Sequence, residues 1–397
     1  MLNQSKREVF TTFLVLGLYG FGGPTAHFAL FRKVLAEDRG WISAEAYDEY
    51  LALCHFLPGP GSSQMAAVLG WVRAGALGAV IAMTAFALPS VVLMAGAATA
   101  LPVLPDDLAQ GVTSGLLAAV AAVVAGAAIS MLKAQTGRVW ALVIAGGAAA
   151  GLFMAVYSGL VGVLVLQPVL IAAGALAGLV LLRREPGAAA NAPARPALPA
   201  GGWAAAAVFA VLLVGLPWSA GAHDALALAD SAYRAGALVF GGGHVVLPLL
   251  QAELTPEPVA QDVFLAGYGL AQALPGPLFS FAAFLGAAAG DDPAPALALA
   301  ALGAIMIFLP GLLLVFAVLP IWSELKTRPP AQGAISGAAA AATGLLIYAS
   351  YDPVLTGLPS DWRVWAMAAL AFAALQAAKA PPPLVVAVCA ILGAAFL

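Results

Sequence analysis

The chain has 397 residues, 63% of them hydrophobic and 9% charged, with a formal net charge of −3 and a mean hydropathy of +0.99. A soluble domain is about 45–50% apolar and about 25% charged, so this excess of apolar side chains excludes an ordinary soluble protein and defines a polytopic helical membrane protein. Nothing in the charge points to nucleic acid, and two separated cysteines, Cys54 and Cys389, imply neither a disulfide framework nor a metal cluster.

In chain order, Lys6 and Arg7 precede an apolar run with no small-residue cleavage site, which predicts a retained first helix. Runs long enough to span a bilayer follow at 10–31, 47–71, 74–101, 111–132, 139–156 and 160–182. A polar, Pro-bearing linker comes next. Beyond it lie 203–219, 231–250, 263–286, 297–321, 333–351, 362–379 and 382–397. The chain thus divides into an N-terminal repeat (1–182), a linker with one connecting helix (183–230) and a C-terminal repeat (231–397).

The two parts carry the same signposts in the same order. Phe21-Gly22-Gly23 matches Phe240-Gly241-Gly242 at an offset of 240 − 21 = 219. Leu57-Pro58-Gly59-Pro60 matches Leu274-Pro275-Gly276-Pro277 at 275 − 58 = 217. Leu69-Gly70, Leu88-Pro89, the Gln110-Gly111 helix start and Arg138-Val139-Trp140-Ala141 recur as Leu285-Gly286, Leu309-Pro310, Gln332-Gly333 and Arg363-Val364-Trp365-Ala366. The helix near 203 has no partner in the first part, and an odd helix between two copies inverts the second. The expected fold is an all-α polytopic membrane protein of about 12–13 transmembrane helices in two inverted-topology repeats with broken helices.

With a cytoplasmic N-terminus, the inside loops hold Arg73, Lys133, Arg138, Arg183, Arg184, Arg195, Lys326 and Arg328. The loop at 32–46, with Arg32, Lys33 and Arg39, then falls outside against the rule. Two full spans before Pro58 are adopted, with a re-entrant hairpin as the alternative.

The candidate site lies where Gly and Pro interrupt apolar runs. Pro58 and Pro275 break their helices, and Pro60 and Pro277 open new ones whose free N–H groups and dipoles suit an anion. Gly59, Ser63 and Gln64 belong to the first break, and Gly276 and Ser280 to the second. Gly22, Gly23 and Pro24, with Gly241, Gly242 and Gly243, either unwind a helix toward a ligand or let helices touch closely. His27 and His244 follow these glycines, and His55 and Gln272 precede the two Pro-Gly-Pro prolines at matched positions. Arg234 and Glu253 read as interfacial and solvated groups. No G-x-S-x-G, H-E-x-x-H or P-loop occurs, so neither catalysis nor a cofactor is expected.

Phe21-Gly22-Gly23-Pro24-x-Ala26-His27, Leu57-Pro58-Gly59-Pro60, Phe240-Gly241-Gly242-Gly243-His244 and Gln272-Ala273-Leu274-Pro275-Gly276-Pro277-Leu278 together resemble the chromate ion transporter family. The resemblance covers nearly the whole chain and implies a multi-pass protein of the bacterial inner membrane that exports chromate. Family members usually carry Gln where this chain has His55. The reading is a secondary transporter of a small oxyanion, chromate or the similarly shaped sulfate, working by alternating access. An anion channel and a membrane enzyme acting on lipid stand as alternatives. Membrane lipid and a second copy of the chain are the other partners to consider.

Overall fold

A computed structural model of the chain describes residues 2–158, 163–182, 200–240, 242–255, 257–290, 292–326 and 328–397. Gly241, most of the linker with Arg183, Arg184 and Arg195, and residues 160–162 of one expected span lie outside these. The described residues are helical, with no β-strand among them. Among the described residues six helical segments are long and apolar enough to cross a membrane, and the shorter helices Val165–Leu181, Leu278–Ala288 and Pro382–Phe396 are apolar too.

Helix α1 (Leu2–Tyr19) ends at the first glycine pair, and α2 (Gly23–Phe31) runs on into a wide turn at Arg32–Asp38. Next come α3 (Ala44–Phe56) and α4 (Gly61–Ala100). The two arms of α4 are separate helices: Ala74 and Gly75 leave helical geometry, and a Cβ on Gly70 would overlap the Gly78 carbonyl, so 61–73 and 76–100 lie back to back. Then follow α5 (Asp106–Ala134), α6 (Val139–Ser158), α7 (Val163–Leu181) and the odd helix α8 (Ala200–Ser219).

The second part repeats the order. Helix α9 (Asp224–Leu238) leads to the second glycine run, and α10 (Val246–Leu254) to α11 (Gln261–Ala273). Beyond the second Pro-Gly-Pro lie α12 (Phe281–Ala288), α13 (Pro293–Val318), the short α14 (Trp322–Leu325), α15 (Pro329–Ala349), α16 (Trp362–Gln376) and α17 (Pro382–Phe396).

The expected spans at 10–31, 47–71, 231–250 and 263–286 are not continuous. Each is a hairpin that turns back at its Gly or Pro break. Phe13 of α1 packs edge-on against Phe31 of α2, with ring centroids 5.7 Å apart, and Arg39 donates to the Thr12 hydroxyl at 2.7 Å. In the second part Phe264 of α11 meets Phe281 of α12 at 5.0 Å, and a Cβ on Gly267 would strike the Phe284 ring. The cause is local. Leu57 and Leu274 are forced extended before proline, and Gly59 and Gly276 take φ of 114° and 101°, a region open to glycine alone at little cost.

These hairpins explain the basic loop that broke the rule. Arg73, in the turn between the α4 arms, pairs with Glu8 at 2.7 Å and lies over the Trp41 ring. The start of α1, the 39–43 loop and this turn therefore share one end of the molecule. Lys326 reaches the same end, bonding Glu49 at 2.6 Å.

The two parts interlock through equivalent contacts. Helix α5 packs on α16 and α17 of the other part, while α15 packs on α6 and α7. The crossings match residue by residue: Gly111 and Gly115 meet the Gly393 and Cys389 backbone, as Gly333 and Gly337 meet that of Gly178 and Gly174. Small side chains are what let backbones approach this closely where lipid supplies no hydrophobic drive between helices.

Candidate functional site

The four hairpin tips converge. The Gly59 N–H donates to the Val239 carbonyl at 2.8 Å, and the Gly276 N–H donates to the Gly20 carbonyl at 2.7 Å. With 59 + 217 = 276 and 20 + 219 = 239, this is one hydrogen bond made twice, each time between a Pro-Gly-Pro tip and the glycine-rich tip of the other part. These two amides are satisfied by protein, so they are not free donors for an anion.

Beside the tips lies a cavity of about 640 Å³. Of the residues singled out from the sequence, Gly22, Gly23, Pro24, His55, Gly59, Gly242, Gly243, His244, Gln272 and Gly276 line it. Pro58, Pro60, Pro275 and Pro277 shape the tips without lining it, and Gly241 is outside the described residues. His27 is fully buried behind the wall, its Nε2 2.9 Å from the Gly20 carbonyl. Ser63 and Gln64 are buried in the packing, where Gln64 Nε2 donates to the Pro58 carbonyl at 2.8 Å. Ser280 donates to the Pro277 carbonyl and caps its own turn.

The lining adds residues that the motifs did not reveal. Thr25 stands at the position matching His244 (25 + 219 = 244), so the histidine paired by symmetry with a polar group is His244 and not His27. His244 Nδ1 is 2.7 Å from the Tyr268 hydroxyl, and Gln272 Nε2 has no partner. Ser130 of α5, with Gln376 and Lys379 from the α16–α17 turn, closes the far side. Lys379 lies in the turn after α16 in a left-handed conformation (φ 51°), just ahead of Pro381, Pro382 and Pro383, which open α17. It is the single charged side chain among the lining residues, which include no carboxylate. A lysine followed by three prolines at a helix end is a signal that could have been read from the sequence.

The cavity exists because the two parts differ here. In the second part α10 packs on α7 and α15, and buried Gln167 of α7 donates to the Pro248 carbonyl at 3.0 Å. In the first part α2 makes no comparable packing on α17 and α5, and the cavity fills that gap with Thr25, Val123, Gly126 and Pro382 on its walls.

Fold and site together define a multi-pass α-helical membrane protein with a central chamber framed by interrupted helices. The chain belongs to the Chromate transporter family, which matches residues 7–179 and 226–394 and leaves out the region of the odd helix. It is 27% identical over 412 residues to a "Probable chromate transport protein" of Synechococcus elongatus, covering 99% of this chain and 96% of that protein. It is 30% identical over 300 residues to a "Chromate transport protein" of Pseudomonas aeruginosa, covering 72% of this chain and 67% of the other. A "Chromate transport protein" of Cupriavidus metallidurans is 29% identical over 350 residues, covering 86% and 80%. No solved structure matches the chain.

Proposed function

We propose that the chain is a secondary carrier of small divalent oxyanions, with chromate the first candidate from the names of its relatives and sulfate the second. The observation that carries this reading is the electrostatics of the central cavity: one lysine, no carboxylate, and neutral donors from Thr25, Gln272 and Gln376 among the lining residues. A low-dielectric chamber with unbalanced positive charge concentrates anions.

The two parts are inverted repeats, and the chamber alternates between the two faces of the membrane. Support for inversion comes from the contacts that join opposite ends. The end of α13 reaches the start of α3 through Lys326 and Glu49, while the end of α4 meets the start of α11 in a crevice lined by Leu101, Pro102 and Asp262. The end that gathers Arg39, Arg73 and Lys326 is cytoplasmic, by the excess of basic residues there. The gap beside α2 lies on that side of the tips, so the shape described is the inward-open one. Export from the cytoplasm across a bacterial inner membrane, giving chromate resistance, fits an inward-open chamber that loads from inside.

Counterflow in proteoliposomes tests the reading, with chromate, sulfate, molybdate and phosphate compared side by side. Chromate and sulfate are expected to exchange well above phosphate, and absence of exchange for all four overturns the carrier assignment.

A further inference from the structure

A second built feature lies outside the cavity, on the arms of the second glycine hairpin. Arg234 of α9 places one guanidinium nitrogen 2.6 Å from Asp230 and 2.9 Å from Glu253 of α10. Asp230 is 3% exposed, Glu253 11% and Arg234 22%. Two carboxylates and one guanidinium leave a net −1 inside the protein (−2 + 1). Asp230 Oδ1 and Arg234 Nε, both buried, have no partner. The expectation that Arg234 and Glu253 are interfacial and solvated is therefore corrected: α9 and α10 fold against each other and enclose them.

Among the described residues, the helices packed around the cluster offer no second cation. Helices α8 and α13 and the turn at Ala220–Ala222, which pack on α9, carry no ionisable side chain. Of the helices that pack on α10, α7 carries none and α15 carries Tyr348, whose hydroxyl donates to Asp352 at 2.8 Å. From α11 come Asp262 and Tyr268, and from the turn that leads into α10 comes His244, which is engaged with Tyr268. Repetition does not explain the cluster. The matched positions of the first part, 230 − 219 = 11 and 234 − 219 = 15, are Thr11 and Val15.

We propose that Asp230, Arg234 and Glu253 form a proton-binding site linked to the transport cycle, an inference that rests on the carrier reading above. A buried net charge is costly unless it is neutralised, and a proton from water on one carboxylate makes the cluster neutral. Its return to water restores the −1. Arg234 bridges the two arms of the hairpin whose tip, at Val239, Gly242 and Gly243, lines the cavity. With both carboxylates ionised, the guanidinium ties α10 to α9. With Glu253 protonated, the guanidinium loses its anionic partner on α10 and that helix is freer to move, while Asp230, on the same helix as Arg234, keeps the guanidinium in place. A metal ion is not the ligand: among the described residues no three His, Cys, Asp or Glu side chains group to hold one, and Arg234 already occupies the cationic seat.

The test uses the full chain, purified and reconstituted. Chromate counterflow in the wild type is expected to vary about tenfold across the titration of the cluster, and Glu253→Gln to flatten that to less than about twofold. Asp230→Asn serves as the second variant should the first fail to fold. Infrared difference spectra of the same protein across pH are expected to show a protonated-carboxyl band that either substitution removes. An unchanged pH profile in both variants overturns the proposal, as does a carboxyl band that survives both, or a sodium dependence with no pH effect. If no anion exchanges in the wild type, the carrier reading falls, and the infrared titration still decides the proton site.

Discussion

The two glycine hairpins have the same plan and are held by different forces. The α1–α2 hairpin is fixed by rings and by ion pairs at the molecular surface: Phe13 on Phe31, Arg73 with Glu8, and Arg32 with Asp48 at 2.7 Å. The α9–α10 hairpin is fixed by the enclosed Arg234 cluster and by α7 and α15 lying against α10. Exposed pairs are worth about 0–1 kcal/mol each and are screened by salt, whereas an enclosed pair is screened little. One hairpin thus borders open space and the other is packed. The difference teaches that a repeat fixes the geometry of the tips, while the surrounding side chains fix which side of the tips is open.

The strongest way to break this comparison is at the paired tip bonds. Gly276→Ala puts a Cβ 2.6 Å from Ser90 Oγ and asks a side chain to adopt φ of 101°. Gly59→Ala meets the Gly236 carbonyl at 3.0 Å and φ of 114°. Left-handed strain of this kind costs on the order of 1–3 kcal/mol. Both substitutions are expected to lower chromate counterflow at least about tenfold, with Gly276→Ala the worse because its contact is closer. Negligible loss at both sites would show that the tips do not carry transport, and equal loss would show only that the closer contact at Gly276 adds nothing.

How much of this was legible beforehand depends on the interaction involved. The offsets of 217 and 219 located the tips, because Gly and Pro act on the backbone and leave their mark in the sequence whatever surrounds them. The hairpins were half legible: an apolar run of 22 residues from 10 to 31 reads as one span by length, the basic loop at 32–46 leaves a re-entrant hairpin as the alternative, and the Phe13–Phe31 and Arg39–Thr12 contacts show that it folds back. Glu253 looked like a loop acid because its partner Arg234 lies on another helix. Lys379 is only the last residue of the expected 362–379 span, and nothing in one dimension puts the α16–α17 turn beside the tips.

Lys379 sharpens the comparison at intermediate strength. The matching stretch of the first part, residues 154–164, contains no basic residue. On the proposed reading, charge recognition therefore rests on one part only. Lys379→Gln is expected to raise the KM for chromate about tenfold, which is about 1.4 kcal/mol of lost attraction, with little change in maximal rate. Lys379→Arg keeps the charge and is expected to restore most of the affinity. An unaltered KM in Lys379→Gln would leave anion recognition to the neutral donors Thr25, Gln272 and Gln376.

The smallest effect is expected where the second part is latched. Gln167 donates to the Pro248 carbonyl, and the matched positions of the first part, 248 − 219 = 29 and 167 + 215 = 382, hold Ala29 and Pro382, which cannot make that bond. A neutral hydrogen bond contributes about 0.5–1.5 kcal/mol net, so on the proposed alternating-access reading Gln167→Leu is expected to shift the balance between the two open states by about two- to tenfold. The shift has a sign. Freeing α10 from α7 favours the outward-open state at the expense of the inward-open one. A cysteine introduced at Thr25, which lines the present cavity, is then expected to react more slowly with a membrane-impermeant thiol reagent added from the cytoplasmic side. Cys54, though it lines the same cavity, is 3% exposed, and its contribution is measured in the parent without the Thr25 replacement. Faster labelling in Gln167→Leu would mean that the latch holds the inward side shut, the reverse of what its position between α7 and α10 requires.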